Sequence, residues 1–238
     1  MTKTIEPQRI NVLDDKGYVI LHDVMGSDLS VVNAARVSYD KKSEALTDGD
    51  RRLIAFLARE RHTSPFRHAF LQFEIYAPLM ISRQWHKHII GSDHSFNAHN
   101  ESSRRYITEE AAFHIPEADA WRSKPANSKQ GSGATLDVGE GTLLTKELRK
   151  HVEQSERLYE DAMANGVAPE QARLFLPAYS MYVRWYWSAS LAAVCHMLNQ
   201  RLASDSQYEF QLYAKAVLEL IKPHFPVSID ALVKDVDA

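Results

Sequence analysis

Three apolar segments of β-type composition, widely spaced along the chain, restrict what this sequence can fold into. GYVILHDVM (17–25) and AFLQFEIYA (69–77) predict strands, and the aromatic MYVRWYW (181–187) is compatible with a third. The segments between and after them have apolar residues at helical spacing, so helices outnumber strands. The sequence has no internal repeat and no domain-scale linker. It therefore predicts a single α+β domain spanning residues 1–238.

The helical segments are marked by their starts and their periodicity. Apolar residues recur at helical spacing over 27–40, after a Ser/Asp start, and over 46–62. Pro78 can open a helix over LMISRQWHKHII, because proline is favoured in a first helical turn. Beyond residue 142 we expect mostly helix, in four segments: 143–166, 169–176, 187–202 and 206–221.

Three segments lack these patterns. Residues 1–10 are predicted to form a loose N-terminus, and 91–105, rich in Ser, Asn and Gly, a loop. The stretch SKPANSKQGSGATLDVGEGT (123–142) has the clearest turn-forming composition, and we predict that it is a flexible excursion.

Composition and charge argue against several classes of protein. The mean hydropathy is −0.36, no apolar run approaches a membrane span, and the N-terminus has no apolar core of signal-peptide length. A net charge of −3 argues against a general nucleic-acid binder. The only cysteine, Cys195, cannot form an intrachain disulfide and fits a reducing compartment. We expect a cytoplasmic protein that binds neither membranes nor nucleic acid, so any bound anion must be held by a local cluster.

Two polar clusters follow one another in the sequence. In SRQWHKH (82–88), helical spacing groups the hydrogen-bond donors into two adjacent stripes. In NESSRRY (100–106), hydroxyls, an amide, a carboxylate and two arginines provide the groups that a phosphate-binding cradle needs. Each pattern is also typical of an ordinary solvated helix face or surface turn.

Three arginines lie inside mainly apolar segments: Arg173 in ARLFLP, Arg184 in YVRWYW and Arg201 in LNQRLAS. Burying an unpaired charge is costly, so such a side chain either pairs with a carboxylate or faces a ligand. For Arg201, the candidate carboxylate partners are Asp205 and Glu209. The sequence alone leaves both outcomes open.

Common catalytic signatures are missing from the sequence. His86, His88, His94 and His99 are close together, but residues two apart on a helix point in nearly opposite directions, so His86 and His88 should not bind one ion. The usual zinc spacings are absent, as are the GxSxG, Walker and GxGxxG motifs. Cys195 has no local activating signature. We therefore predict no metal site and no cysteine nucleophile.

Several segments, taken in order, resemble the flavin-dependent thymidylate synthase family over nearly the whole chain. HTSPFRH resembles the family's H-x-[TS]-P-F-x-H turn. RQWHKH followed by NESSRRY resembles its signature, which reads RQW-x-RHR, a short spacer and NE-x-S-x-RY. ARLFLP, YVRWYW and LNQRLASDSQYEFQLYA fall where the family has its arginines and closing helices. Independent matches in the family's order are more specific than any one motif.

The resemblance implies both a fold and a reaction. The fold would be a helix-rich α+β domain with a small, mainly antiparallel sheet, assembled as a homotetramer whose active sites are shared among subunits. The reaction would convert dUMP to dTMP, with methylenetetrahydrofolate as carbon donor, FAD as hydride carrier and NADPH as reductant. The family uses no cysteine nucleophile, which agrees with the single cysteine here.

Positions that match the family's motifs imply the site residues. Arg201 would be catalytic, because it would lie beside the uracil and stabilise the negative charge that appears when the ring is activated. Ser103, with the backbone around Arg104 and Arg105, would meet the phosphate. The residues implied to hold dUMP are Gln84, Lys87, Glu101, Ser103, Arg104, Arg105, Arg173 and Arg201. Those implied to contact the flavin are His62, Ser64, Lys87, His88, Ile89, Glu101 and His196.

The chain departs from the family mainly in the RHR core, which here reads Lys87-His88-Ile89. Lysine loses the forked hydrogen bonding of arginine, and isoleucine removes a donor and a charge. Two alternatives follow. One is a flavin enzyme that hydroxymethylates dUMP or methylates a related pyrimidine nucleotide; the other is a nucleotide-binding paralogue that has lost FAD.

Overall fold

The computed structural model describes residues 6–92, 98–102, 111–126 and 131–234, and for 89–92 it describes the backbone only. Its centre is a sheet of strands β1 (Gln8–Val12), β2 (Gly17–Met25), β3 (Phe70–Pro78), β4 (Ala98–Glu101) and β5 (Tyr182–Ser190). The strand order is β1-β2-β3-β5-β4, and every neighbouring pair is antiparallel. The small antiparallel sheet implied by the resemblance is confirmed.

The sheet has one apolar face and one polar face, because side chains alternate along a strand with a period of two. On β3, Phe73 and Ile75 are fully buried, whereas Glu74 between them is only partly buried. On β5, Trp185 and Trp187 are buried on the same side as Phe73 and Ile75. The helices pack mainly against this apolar face.

The described residues form eight helices: α1 (Asp28–Arg36), α2 (Asp48–Arg59), α3 (Leu79–Ser92), α4 (Val138–Ala164), α5 (Pro169–Ala172), α6 (Leu191–Arg201), α7 (Tyr208–Ile221) and α8 (Pro226–Leu232). Trp85 of α3 joins the layers. Its ring stacks on Phe210 of α7 at 5.1 Å between centroids and meets Trp185 and Trp187 edge-on at 5.5 and 5.4 Å. Aromatic contacts of this kind stabilise a core beyond the area that they bury. This packing fixes the position of α3 between the sheet and α7.

The strong sequence patterns are confirmed. The strands predicted over 17–25 and 69–77 are β2 and β3, and the aromatic segment at 181–187 lies largely in β5. Pro78 ends β3 and α3 begins at the next residue, as the proline predicted. The helices expected over 27–40 and 46–62 are α1 and α2.

Two predicted irregular segments contain strands, and both predictions are corrected. The loose start over 1–10 contains most of β1, which pairs with β2 through a turn whose residues Leu13, Asp14 and Asp15 have positive φ. The loop over 91–105 contains β4, paired with β5. Both are edge strands of the described sheet. Their sequences have little β-strand character of their own, and pairing with the adjacent strand, β2 or β5, decides their conformation.

Two further boundaries are corrected. Within the predicted excursion over 123–142, α4 already begins at Val138, and hydrogen bonds tie Ser123 to Ala134 and to Gly133. The helix predicted over 187–202 begins only at Leu191, because β5 continues to Ser190, whose Oγ caps α6 by accepting from the Ala193 amide. Within the described ranges, no helix combines the length and the hydropathy that crossing a bilayer requires.

Candidate functional site

Helix α3 carries polar side chains on two different faces, on either side of buried Trp85. Gln84 and His88, one turn apart, face α6 and α7, where their contacts with Arg201 lie. Ser82 and His86, also one turn apart, face β4, where they meet Glu101 and His99. The divergence of His86 and His88, expected from their spacing, is confirmed.

Arg201, the last residue of α6, is held by neutral partners. Its Nε donates to His88 Nε2 at 2.7 Å and its Nη1 donates to Gln84 Oε1 at 3.1 Å, while its guanidinium lies 4.8 Å from the centre of the Phe210 ring. In the part of the chain that the structure describes, Arg201 forms no ion pair. The carboxylate of Glu209 instead accepts from Gln207 Nε2 at 2.8 Å. No carboxylate of the described residues therefore neutralises the positive charge of Arg201.

The tautomer of His88 follows from this hydrogen bond. Burial, and then the charges of Arg201 and His196, lower the pKa of His88 from 6.5 to about 4. The ring is therefore neutral near pH 7. Since Nε2 accepts from Arg201, the ring proton is assigned to Nδ1. His88 thus orients Arg201 without adding or cancelling charge.

An open cavity of about 740 Å³ borders this arrangement. This volume is within the range of small-molecule sites. The buried Oγ of Ser206 has no hydrogen-bond partner among the described residues. The cavity is lined by Gln84, Lys87, Gly131, Gln200, Arg201, Ala203, Asp205, Ser206 and Gln207. Two cations, three amides and the carboxylate of Asp205 therefore line one space, with the buried hydroxyl of Ser206 in its wall.

The structure brings together some of the predicted site residues. Gln84, Lys87 and Arg201 line the cavity, and His88 contacts Arg201 from behind. Glu101 lies instead at the other face of α3, where its carboxylate accepts from Ser82 Oγ at 2.8 Å.

Other predicted residues lie outside the cavity lining. His62, Ser64, Arg173 and His196 are exposed. Arg184 lies on the polar face of the sheet, 3.8 Å from Glu74. The predictions for Ser103, Arg104 and Arg105, and for the side chain of Ile89, concern groups outside the described residues.

Sequence reasoning missed the contribution of the segment between α6 and α7. Gln207 bridges two elements, because its Oε1 accepts from Gln84 Nε2 and its Nε2 donates to Glu209. Ser206 belongs to the same wall, and its buried hydroxyl has no partner among the described residues. The available signal was the polar run of residues 204–207, which lies between the apolar helices α6 and α7.

A second polar cluster lies between α3 and β4. His86 and His99 have ring centroids 3.7 Å apart, and His99 Nε2 is 4.0 Å from Glu101 Oε2. Burial, and then the charge of His86, lower the pKa of His99 from 6.5 to about 4. The histidine spacings examined in the sequence could not identify this cluster, because its members come from a helix and from a strand that was predicted to be loop.

Comparison with known proteins identifies relatives along nearly the whole chain. A family model described as thymidylate synthase complementing protein matches residues 20–227. A flavin-dependent thymidylate synthase from Thermus thermophilus is 38% identical over 226 residues, covering 93% of this chain and 77% of that protein. One from Thermotoga neapolitana is 36% identical, covering 95% and 94%.

A solved structure extends the likeness to three dimensions. The crystal structure of a UMP/dUMP methylase PolB from Streptomyces cacaoi, bound with 5-Br dUMP, superimposes with a TM-score of 0.79. The two sequences are 29% identical, and the match covers 92% of this chain and 96% of that one.

Proposed function

The chain belongs to the thymidylate synthase complementing protein family, and from that premise we propose that it is a flavin-dependent thymidylate synthase that converts dUMP to dTMP beside Arg201. The observation that carries the proposal is the environment of Arg201. Its guanidinium borders a nucleotide-sized cavity and has no carboxylate partner among the described residues. An anionic ligand would supply the missing negative charge.

Arg201 is suited to stabilise charge that develops on a pyrimidine. Burial lowers its pKa, but arginine stays protonated at neutral pH. Hydrogen bonds from its Nε and Nη1 to His88 and Gln84 fix the guanidinium before a ligand arrives. A preorganised cation in a partly desolvated site contributes more to catalysis than a mobile one, because it needs no reorganisation during the reaction.

The residues on the cavity wall fit a flavin nucleotide. Lys87 provides an exposed ammonium for a phosphate, and the unpaired Oγ of Ser206 provides a buried hydroxyl. These two side chains would hold FAD, and His88, which is buried outside the cavity lining, would act on the cofactor through Arg201. When bound, the flavin would carry reducing electrons from NADPH to the pyrimidine, with methylenetetrahydrofolate as the source of the carbon.

The positions of the remaining predicted residues favour a shared site. His62, Ser64 and Arg173 are exposed and lie outside the cavity lining. In a homotetramer with active sites shared among subunits, these side chains would serve the cavity of another copy. Ser103, Arg104 and Arg105 would hold the dUMP phosphate. Glu101, which lies on the other face of α3, would contact nucleotide and flavin in the site of another copy. We further propose that the enzyme is a cytoplasmic, single-domain protein that binds neither membranes nor nucleic acid.

The first experiment is the visible spectrum of the purified protein, followed by the mass of the product from dUMP, methylenetetrahydrofolate and NADPH. We expect bound flavin and a product of dTMP mass. A protein that cannot be reconstituted with FAD, yet binds dUMP tightly without turnover, would be the flavin-free paralogue instead. A product with the mass of the hydroxymethyl nucleotide would reassign the reaction.

Methylation of UMP as well as dUMP is a second candidate, because the similar methylase from Streptomyces cacaoi is named for both nucleotides. The two substrates differ by one ribose hydroxyl, so the comparison needs only one assay. Equal kcat/KM for UMP and dUMP would support the broader specificity. A site that rejects the hydroxyl would favour dUMP strongly.

A further inference from the structure

Three side chains with metal-ligating atoms meet between strand β4 and the face of α3 that is turned away from Arg201. His86, His99 and Glu101 each offer one such atom, and these atoms lie within 4.8 Å of one another. His99 and Glu101 are two residues apart on β4, so their side chains point to the same side of the strand. The side that they share is the one of Trp185 and Trp187, which α3 covers.

The imidazole of His99 is buried, and its two nitrogens lack hydrogen-bond partners among the described residues. Its side chain is 8% exposed, and neither ring nitrogen has a hydrogen-bond partner within the described ranges. The nearest carboxylate oxygen, on Glu101, is 4.0 Å from Nε2, which is too long for a hydrogen bond. A buried polar group without a partner carries a free-energy cost, because it has lost its hydrogen bonds to water. A ligand that bonds to this ring would remove that cost.

Glu101 is already oriented toward the histidines. Ser82, one turn before His86 on α3, donates its hydroxyl to Glu101 Oε2 at 2.8 Å. Hydrogen bonds of this kind fix the direction of a ligating carboxylate and are a regular feature of protein metal sites. The cluster thus has three ligand groups and a residue that positions one of them.

We propose that His86, His99 and Glu101 bind a divalent transition-metal ion of the zinc class. Two imidazoles and one carboxylate form the donor set of open zinc and non-haem iron sites, whereas calcium and magnesium prefer oxygen ligands alone. Tetrahedral zinc separates its ligand atoms by about 3.3 Å. His86 is only half-buried and Glu101 is exposed, so rotation of these two side chains closes the remaining distance.

Metal binding can be tested apart from the proposed reaction, because the metal needs neither nucleotide nor flavin to bind. It does share Glu101 with the residues proposed to hold dUMP and FAD. Metal occupancy therefore withdraws a carboxylate from the nucleotide site. Metal binding is therefore measured directly, without an activity assay. The result does not depend on whether the protein makes dTMP.

The experiment titrates untagged, chelator-treated protein with Co²⁺, whose absorption in the red is distinct from that of oxidised flavin. We expect one ion per chain, displaced by Zn²⁺. His99→Gln and His86→Gln should each weaken Co²⁺ binding by at least about tenfold. His151→Gln is the matched control, because His151 is an exposed histidine on α4, and it should bind Co²⁺ as the wild type does.

Two results would overturn the metal site. One is the absence of stoichiometric binding, and the other is an affinity that neither variant changes. Circular dichroism checks the fold of His99→Gln; should that variant unfold, His86→Gln decides, because His86 is half-buried on a helix. A protein that binds Co²⁺ but makes no dTMP would retain the metal site and refute the proposed reaction.

Discussion

The two faces of α3 use similar residues in opposite ways. Toward α6, neutral His88 and Gln84 satisfy Arg201, so a cation is held rigidly and its charge is left for a ligand. Toward β4, His86 and His99 lie side by side, and no described acceptor or donor satisfies the ring of His99. The Arg201 face is organised before any small molecule binds. The β4 face presents metal-ligating atoms, and a bound ion would satisfy them.

This difference separates two kinds of preorganisation. A catalytic cation gains from having its direction fixed while its charge stays free. A metal site gains from clustered lone pairs, which repel one another until an ion binds. Both arrangements depend on Trp85, which keeps α3 between β5 and α7. Changes to either face, or to the tryptophan between them, can therefore test whether the faces act independently.

Arg201→Ala should have the largest effect. Removing the fixed cation should lower kcat/KM for dUMP by about 10²–10³-fold or more, with little change in the melting temperature. The measurement is initial rate against dUMP concentration, with thermal unfolding in parallel. Arg59→Ala is the matched control, because Arg59 is exposed, contacts only Glu60 and the Phe56 ring among the described residues, and lies outside the cavity lining. Near wild-type activity in Arg201→Ala would remove the catalytic role assigned to it.

Trp85→Ala should affect both faces at once. Loss of a fully buried tryptophan side chain costs about 3–5 kcal/mol of the free energy of unfolding, and here it also removes the contact of α3 with Phe210 and Trp185. Urea unfolding measures the loss. Phe56→Ala, at a side chain that is 42% exposed, should cost far less. An equal loss in the two variants would mean that Trp85 is not the support of α3.

How much of this arrangement could be predicted depends on how far apart in the sequence the interacting residues lie. Trp85 and Arg201 lie in segments with strong local patterns, and the family motifs identified Gln84 and His88 on one face of α3. They did not identify the opposite face, where Ser82 and His86 lie. The pairing of His99 with His86 depends on β4, an edge strand of only four residues. Its pattern is too short to distinguish from a loop, and its register is set by β5, far away in sequence. The wall formed by Ser206 and Gln207 likewise depends on the packing of α7 against α3.

Ser82→Ala should affect only the β4 face. The hydroxyl that orients Glu101 is lost, so we expect Co²⁺ affinity to fall about tenfold, the lower range for loss of a supporting hydrogen bond. Spectroscopic titration measures this change. Ser188→Ala serves as control, since Ser188 lies on the opposite face of the sheet and bonds Gln72. Unchanged Co²⁺ affinity in Ser82→Ala would show that Glu101 needs no such support.

The smallest effect should be in the pH dependence of stability, which compares the faces directly. The pKa of His88 and that of His99 are both lowered from 6.5 to about 4 in the folded state, first of all by burial. Between these values the unfolded chain binds more protons, so the free energy of unfolding falls as the pH decreases from 6.5 toward 4. Urea unfolding of metal-free protein across this interval should give a shallower slope for His88→Asn and for His99→Asn, whereas His151→Asn should keep the wild-type slope. A change in only one of the two would assign the acid sensitivity to one face of α3, and parallel slopes in all variants would exclude both histidines as its source.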